Sequence, residues 1–120
     1  MSTPKSKGKP EGLAARPLLS DPTATELTAL FKVLANQHRL QLLHALERSG
    51  ELSVGELAAA VAMSVQAVSN QLQRLVDQQI IASRRDGNRS YYRIIDPCVT
   101  GLLELGLCLT EENRRRPRSR

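Results

Sequence analysis

Aromatic residues are nearly missing from this chain: 120 residues hold one Phe, two Tyr and no Trp. Any core must be filled by Leu, Val, Ile and Ala, and at this length the chain can build one small domain. Cysteine is equally scarce. The two present, Cys98 and Cys108, are too few for a disulfide framework and are expected as thiols in a reducing compartment. No uninterrupted apolar run is longer than residues 57–63, far short of the roughly 20 residues needed to span a bilayer. The lysine-bearing start is not followed by an apolar signal-peptide core, so no membrane association is expected and the expected location is cytoplasmic. Motifs for catalysis are missing as well. There is no Gly-rich phosphate loop, nucleophile elbow or HExxH, and the acidic residues within the domain stand one per element without pairing. An enzyme is not expected.

What is present begins with charge. The formal net charge is +5, a value that invites a nucleic-acid partner, although the position of the charge matters more than its total. Between Thr23 and Thr110 the eight basic residues (Lys32, Arg39, Arg48, Arg74, Arg84, Arg85, Arg89, Arg93) are balanced by eight acidic ones (Glu26, Glu47, Glu51, Glu56, Asp77, Asp86, Asp96, Glu104). The excess therefore sits in the tails, but five of those eight basic residues fall between Arg74 and Arg93. A local basic patch survives.

The composition divides the chain into a basic, Ser/Lys/Gly/Pro-containing tail over 1–22, a domain over 23–112 and a short basic tail over 113–120. Both tails are expected to be disordered and solubilising. Inside the domain, Thr23 or Thr25 opens a helix with Leu27, Leu30, Phe31 and Leu34 at helical spacing, and a second helix over 37–48 stops at Gly50. The run Ser53, Val54, Gly55, Glu56 has the form of a capping box that starts a short third helix. Ser64 caps a fourth, in which Val68, Leu72, Leu75 and Val76 share one face and leave Gln66, Ser69, Asn70, Gln73 and Arg74 pointing outward. Two strand-like runs, 80–85 and 90–95, flank Asp86, Gly87, Asn88 and Arg89, where the Asp-Gly step supplies a tight turn. Asp96 and Pro97 then open a last helix.

That order is a mainly α fold with a β-hairpin wing: a helix-turn-helix followed by a basic hairpin. Asn and Gln can bond adenine in a bidentate way and Ser can bond to bases or phosphates, so the outward face of the fourth helix suits major-groove readout of double-stranded DNA. Ser64, Gln66, Ser69, Asn70, Gln73 and Arg74 on that helix, with Arg84, Arg85, Asn88 and Arg89 on the wing, are the candidate DNA-binding residues. A winged helix used for protein assembly is the competing possibility, but it calls for an apolar recognition face and an uncharged wing. The last helix carries Leu102, Leu103, Leu105, Leu107 and Leu109, too many for one face, and together with the first helix it is expected to bury the surplus in a symmetric dimer.

Four stretches carry a family resemblance: residues 33–43 (VLANQHRLQLL), 51–57 (ELSVGEL), 64–75 (SVQAVSNQLQRL) and 85–93 (RDGNRSYYR). Over about 26–112 the chain resembles the ArsR/SmtB family of bacterial winged helix-turn-helix transcriptional repressors. The resemblance implies four helices, two strands and a fifth helix, a homodimer, binding to an imperfect inverted repeat, and release by an inducer. It also implies sensor positions. Where many members carry cysteine at the start of the third helix this chain has Ser53, and the last-helix site of the family falls on Asp96, Cys98, Leu109 and Glu112. A cysteine and a leucine stand where that site has histidines, which does not suit zinc in its usual tetrahedral arrangement.

Cys98 and Cys108 are nevertheless candidates, with Asp96 or Glu112 as further ligands. Ten helical residues separate the two thiols by ~15 Å along the axis and about 80° around it, so one helix cannot bring both to one ion. Antiparallel last helices of a dimer, as in the family, could pair Cys98 of one subunit with Cys108 of the other. Such a pair suits arsenite, cadmium, copper(I) or zinc, and it suits a redox or sulfide switch as well. His38 and His44 lie on different helix faces and form no metal pair.

Overall fold

The computed structural model describes residues 12–117. After a 3-10 turn at Leu13–Ala15 come helices α1 (Asp21–Leu34) and α2 (Gln37–Ser49), strand β1 (Leu52–Ser53), helices α3 (Val54–Val61) and α4 (Val65–Asp77), strands β2 (Ile81–Asp86) and β3 (Arg89–Ile94), and helix α5 (Pro97–Arg115). The expected winged helix-turn-helix is present, with one strand more than the sequence announced.

Helix starts are set by side chains that accept the otherwise unpaired first N–H groups. Asn36 accepts from the Arg39 N–H at 3.0 Å, Ser64 from that of Ala67 at 3.1 Å, and Asp96 from that of Cys98 at 2.9 Å. The capping box of α3 is reciprocal: the Glu56 N–H donates to Ser53 Oγ at 3.1 Å and the Ser53 N–H donates to Glu56 Oε1 at 2.8 Å. Helix α1 starts earlier than Thr23 or Thr25. Ser20 is its cap, accepting from the Thr23 N–H at 3.3 Å, and Pro22 sits in the first turn, where a missing N–H costs nothing. Of the tail expected over 1–22, residues 1–11 lie outside the described residues, and Asp21 and Pro22 belong to α1. At the other end α5 continues through Arg114 and Arg115, whose charges suit the negative end of the helix dipole, so the segment expected as a tail from 113 is helical to 115. Residues 118–120 lie outside the described residues.

The sheet has the order β1-β3-β2 and is antiparallel throughout. Ile81 pairs with Ile94 at the base of the hairpin and Asp86 with Arg89 at its tip. The two turn residues are therefore Gly87 and Asn88, one step later than the Asp-Gly pair; a positive φ of 66° at Gly87 is the feature of a type II′ hairpin turn. Strand β1 escaped the sequence reading because two residues carry no alternation. It adds Leu52 opposite Tyr92 and Ser53 opposite Tyr91, and so joins the N-terminus of α3 to the root of the wing.

The core is wholly aliphatic. Leu42, Leu43 and Leu46 of α2, Leu57 of α3, Val68, Leu72 and Leu75 of α4, and Ile80 and Ile81 are fully enclosed, with Leu34, Ala58 and Val99 around them. Each such Leu or Ile contributes about 1.5–3 kcal/mol. Helices α1 and α5 attach to this core by one end only. Leu34 is the sole buried residue of α1 and Val99 that of α5, while every residue from Glu104 to Pro117 is exposed.

Two backbone positions make the turns. Gly50 ends α2 at a φ of 86° and nothing lies within 4 Å of where a Cβ would be, so a side chain there is opposed by conformation alone. Ala62, in the turn between α3 and α4, takes the left-handed region at φ 56° and ψ 48° without being glycine, at a strain of about 1–2 kcal/mol. Gly50→Ala is therefore expected to lower the unfolding free energy by ~1–2 kcal/mol and Ala62→Gly to raise it by ~1 kcal/mol. Urea unfolding checks both, and an unchanged midpoint in the two variants would contradict these turn conformations.

Candidate nucleic-acid interface

Helix α4 buries Val68, Leu72 and Leu75, and at about 100° per residue this orientation dictates what lies opposite. Gln66, Ser69, Asn70, Gln73 and Arg74 fall on the outward stripe and are exposed, save the half-buried Ser69. Side chains one turn apart hold one another in place: Gln66 Nε2 donates to Asn70 Oδ1 at 3.3 Å and Gln73 Nε2 to the carboxylate Oδ1 of Asp77 at 2.9 Å. Each bond leaves further donors and acceptors of these side chains directed outward. Ser64 is occupied in capping the helix.

The wing stands on the Ser69 side. A cleft of about 520 Å³ runs between α3, α4 and the hairpin, with Glu56, Ala59, Ser69, Asn88, Arg89 and Tyr92 among its walls. Ser69 of the helix and Asn88 and Arg89 of the wing tip are thus brought to one concave surface. Along the hairpin the cross-strand pairs alternate sides, so Arg85 shares a face with Ser90, and Arg84 shares the other with Tyr91.

Arg84 has a different position from that expected of a phosphate contact. Its Nε and Nη2 donate to the two carboxylate oxygens of Glu51 at 2.9 and 2.8 Å, and its guanidinium lies 4.9 Å from the centre of the Tyr91 ring. The hydrogen bonds from Arg84 hold the Glu51 carboxyl below its ordinary pKa, and Glu51 raises that of Arg84 in return. The pair staples β2 to the residue preceding β1 and offsets one wing charge. Arg85, Arg89 and Arg93 remain as the exposed cations of the wing; among them only Arg93 was not singled out from sequence as a site residue.

On the opposite flank of α4, Arg39 is turned inward. Its Nε donates to Gln71 Oε1 at 2.8 Å and its Nη1 to the carbonyl of Val33 at 2.9 Å. Burial first, and the charge of Arg74 second, lower its pKa. Neither Glu51 nor Gln71 is a candidate on residue type alone. Their partners lie 33 and 32 residues away, beyond the reach of any periodicity.

The sensor candidates are not gathered within one chain. Cys98 and Cys108 are exposed on α5, Asp96 caps that helix, and Glu112 lies 3.9 Å from Arg115. Among the described residues no group of three His, Cys, Asp or Glu side chains is close enough to hold a metal ion. His38 and His44 are exposed.

Two apolar surfaces remain. On α1, Leu27 and Phe31 stay 39% and 47% exposed and line a groove of about 440 Å³ together with Leu19 and Ala24. On α5, Leu105, Leu107 and Leu109 are 70%, 58% and 56% exposed. No helix among the described residues is long and apolar enough to cross a membrane.

Comparison with known proteins agrees with this architecture. Residues 35–89 match the profile of the MarR family. The chain is 32% identical over 98 residues to the cadmium resistance transcriptional regulatory protein CadC of Listeria innocua, covering 82% of each chain. The crystal structure of AntR, an antimony-specific transcriptional repressor, is 56% identical and superposes with a TM-score of 0.78, covering 93% of this chain and all of that one. The homodimeric winged helix-turn-helix domain Mb0332 of Mycobacterium bovis, described as a possible ArsR-family regulator, is 31% identical with a TM-score of 0.72 over 88% of this chain and 99% of that one. Five helices, the three-stranded sheet with its wing and these relatives give one conclusion: the chain belongs to the ArsR/SmtB family of winged helix-turn-helix transcriptional regulators.

Proposed function

We propose that the chain acts in the cytoplasm as a homodimeric repressor that reads operator DNA with α4 and the wing and lets go when a thiol-directed ligand reaches Cys98 and Cys108. The observation that carries the DNA reading is the outward stripe of Gln66, Ser69, Asn70, Gln73 and Arg74, set beside Asn88 and Arg89 of the wing tip in a domain with no excess of positive charge of its own. Amide and hydroxyl groups supply base discrimination, and Arg85, Arg89 and Arg93 supply attraction to phosphates.

Dimer formation is supported by the apolar side chains of α1 and α5 that stay exposed among the described residues, Leu27 and Phe31 on the first and Leu105, Leu107 and Leu109 on the second. A twofold pairing through them would present two reading helices to half-sites about 34 Å apart. It would also bring two α5 helices together, which is the one way that Cys98 and Cys108 can meet, given their separation on a single helix. Soft thiolates favour arsenite, cadmium, copper(I) or zinc over hard cations. The strong similarity to an antimony-specific repressor favours a trivalent metalloid within that class. Redox conversion of the same thiol pair is the second reading, and exposure of both cysteines is what supports it.

Asn70→Ala and Ser69→Ala are expected to lower the preference for operator over random DNA by about 1–3 kcal/mol each, while Arg89→Ala weakens both complexes alike and reduces the salt slope by roughly 0.9. Arg84→Ala is expected to shift that slope less than Arg89→Ala does, because Glu51 already offsets its charge. Gel-shift titrations at several salt concentrations check all four; unchanged operator preference in both helix variants would remove the assignment.

For the signal, antimonite and arsenite are expected to release the wild-type protein from its operator at lower concentration than zinc or peroxide. Cys98→Ser and Cys108→Ser should each abolish that release. Fluorescence anisotropy of labelled operator with antimonite, arsenite, cadmium, zinc, copper(I), polysulfide and peroxide decides between metalloid, metal and oxidant, and equal responses of wild type and both serine variants would sink the cysteine-sensor reading.

A further inference from the structure

Arg39 sits where three helices converge. It is the third residue of α2, its guanidinium reaches back to the last turn of α1, and it reaches across to the middle of α4. The Val33 carbonyl is one of the final four of α1, which the helix cannot satisfy for itself, and a cation there also suits the negative end of the α1 dipole. Gln71 occupies the flank of α4 between the buried stripe and Arg74. Its amide oxygen takes the Nε of Arg39 at 2.8 Å. A guanidinium is a rigid planar fork, so two bonds from one such group fix the distance and the angle between the helices that accept them.

We propose that Arg39 is a positioning residue: through Gln71 it locks the rotation and tilt of α4 relative to α1, and this clamp determines how well the protein distinguishes operators of different half-site spacing. The inference rests on the DNA-binding reading above. Helix α1 bears the apolar groove around Leu27 and Phe31, so whatever twofold partner seats there takes its orientation from α1. The clamp then carries that orientation to the reading helix. Half-buried and with two of its donors bound inside the domain, Arg39 is poorly placed to act as a phosphate contact. The apolar contacts of α4 decide which of its faces is buried, and the fork adds a directional restraint on how that helix sits against α1, because a planar guanidinium bound to both tolerates little change of distance or angle.

The clamp separates cleanly from a charge effect in experiment. An operator is first selected by the wild-type protein from a pool of random duplexes, and versions with one base pair inserted or deleted between the half-sites then compete with it. Arg39→Lys keeps the charge and loses the fork; Gln71→Met keeps the volume and loses the acceptor. Each is expected to reduce the preference for the selected spacing by about tenfold, with no further loss in the double variant because both remove one interaction. The salt slope of binding should stay at the wild-type value in both. The proposal is overturned if the spacing preference survives in either single variant, if the two losses add, or if Arg39→Lys behaves as wild type while Arg39→Met flattens the salt slope by about one, the mark of a phosphate contact. A lowered melting temperature with intact spacing preference overturns it equally. Failure of the underlying DNA reading shows itself earlier and separately, as a wild-type protein that enriches no duplex from the pool.

Discussion

The rotation of α4 about its own axis is the constraint from which the rest of the molecule follows. Val68, Leu72 and Leu75 have one place to go, the aliphatic core built by α2 and α3, and once they are buried the opposite stripe is decided without further instruction. Burial of these three side chains stabilises by several kcal/mol, whereas the amide bonds along the outer stripe contribute a fraction of that each. Apolar packing therefore aims the polar face. The two flanks refine the aim: the wing stands beside Ser69, and the Arg39 fork grips Gln71.

The same small core explains why the molecule is incomplete alone. With no Trp and one Phe, itself half exposed, the chain encloses a dozen or so aliphatic side chains, and among the described residues the far sides of α1 and α5 remain uncovered. Gly101 and Gly106 lower the intrinsic stability of α5 further. A helix of 19 residues that is exposed from Glu104 onward and carries three bare leucines is costly in isolation, and association is the simplest physical remedy. The two cysteines lie on this same helix.

Much of this was legible in the sequence, for identifiable reasons. Helices α2, α3 and α4 announce themselves because their signals are local: a leucine period that stops at Gly50, Ser53 with Glu56, Ser64 with its apolar stripe. The hairpin is equally local, although its turn centre is Gly87 and Asn88 rather than Asp86 and Gly87. What stayed hidden is non-local or silent in composition. Ser20 was passed over because Thr23 and Thr25 are equally good caps by residue type. Strand β1 is two residues long and exists through its pairing with Tyr91 and Tyr92. The left-handed turn at Ala62 has no glycine to mark it. At the site, Arg84 was rightly placed on the wing, but its engagement with Glu51 depends on a contact across 33 residues, and so does the role of Gln71 on Arg39.

The helix that bears the two cysteines and the helix that bears the outward polar stripe lie in different parts of the chain, yet one helix touches both. Thr100, in the first turn of α5 and two residues from Cys98, donates its hydroxyl to Glu47 Oε1 at 2.9 Å near the end of α2. At the beginning of α2, Arg39 grips α4. Eight helical residues separate Glu47 from Arg39, about 12 Å along a rigid axis, and the inner face of that helix is held in the core, with Leu42, Leu43 and Leu46 fully enclosed. A close-packed bar transmits displacement rather than absorbing it. The polar bonds at its two ends, Thr100 to Glu47 and the Arg39 fork to Gln71, tie α5 and α4 to the same bar, while the leucines between them resist any change of spacing. The architecture thus links the helix that bears the two cysteines to the helix that bears the outward polar stripe through the two ends of α2.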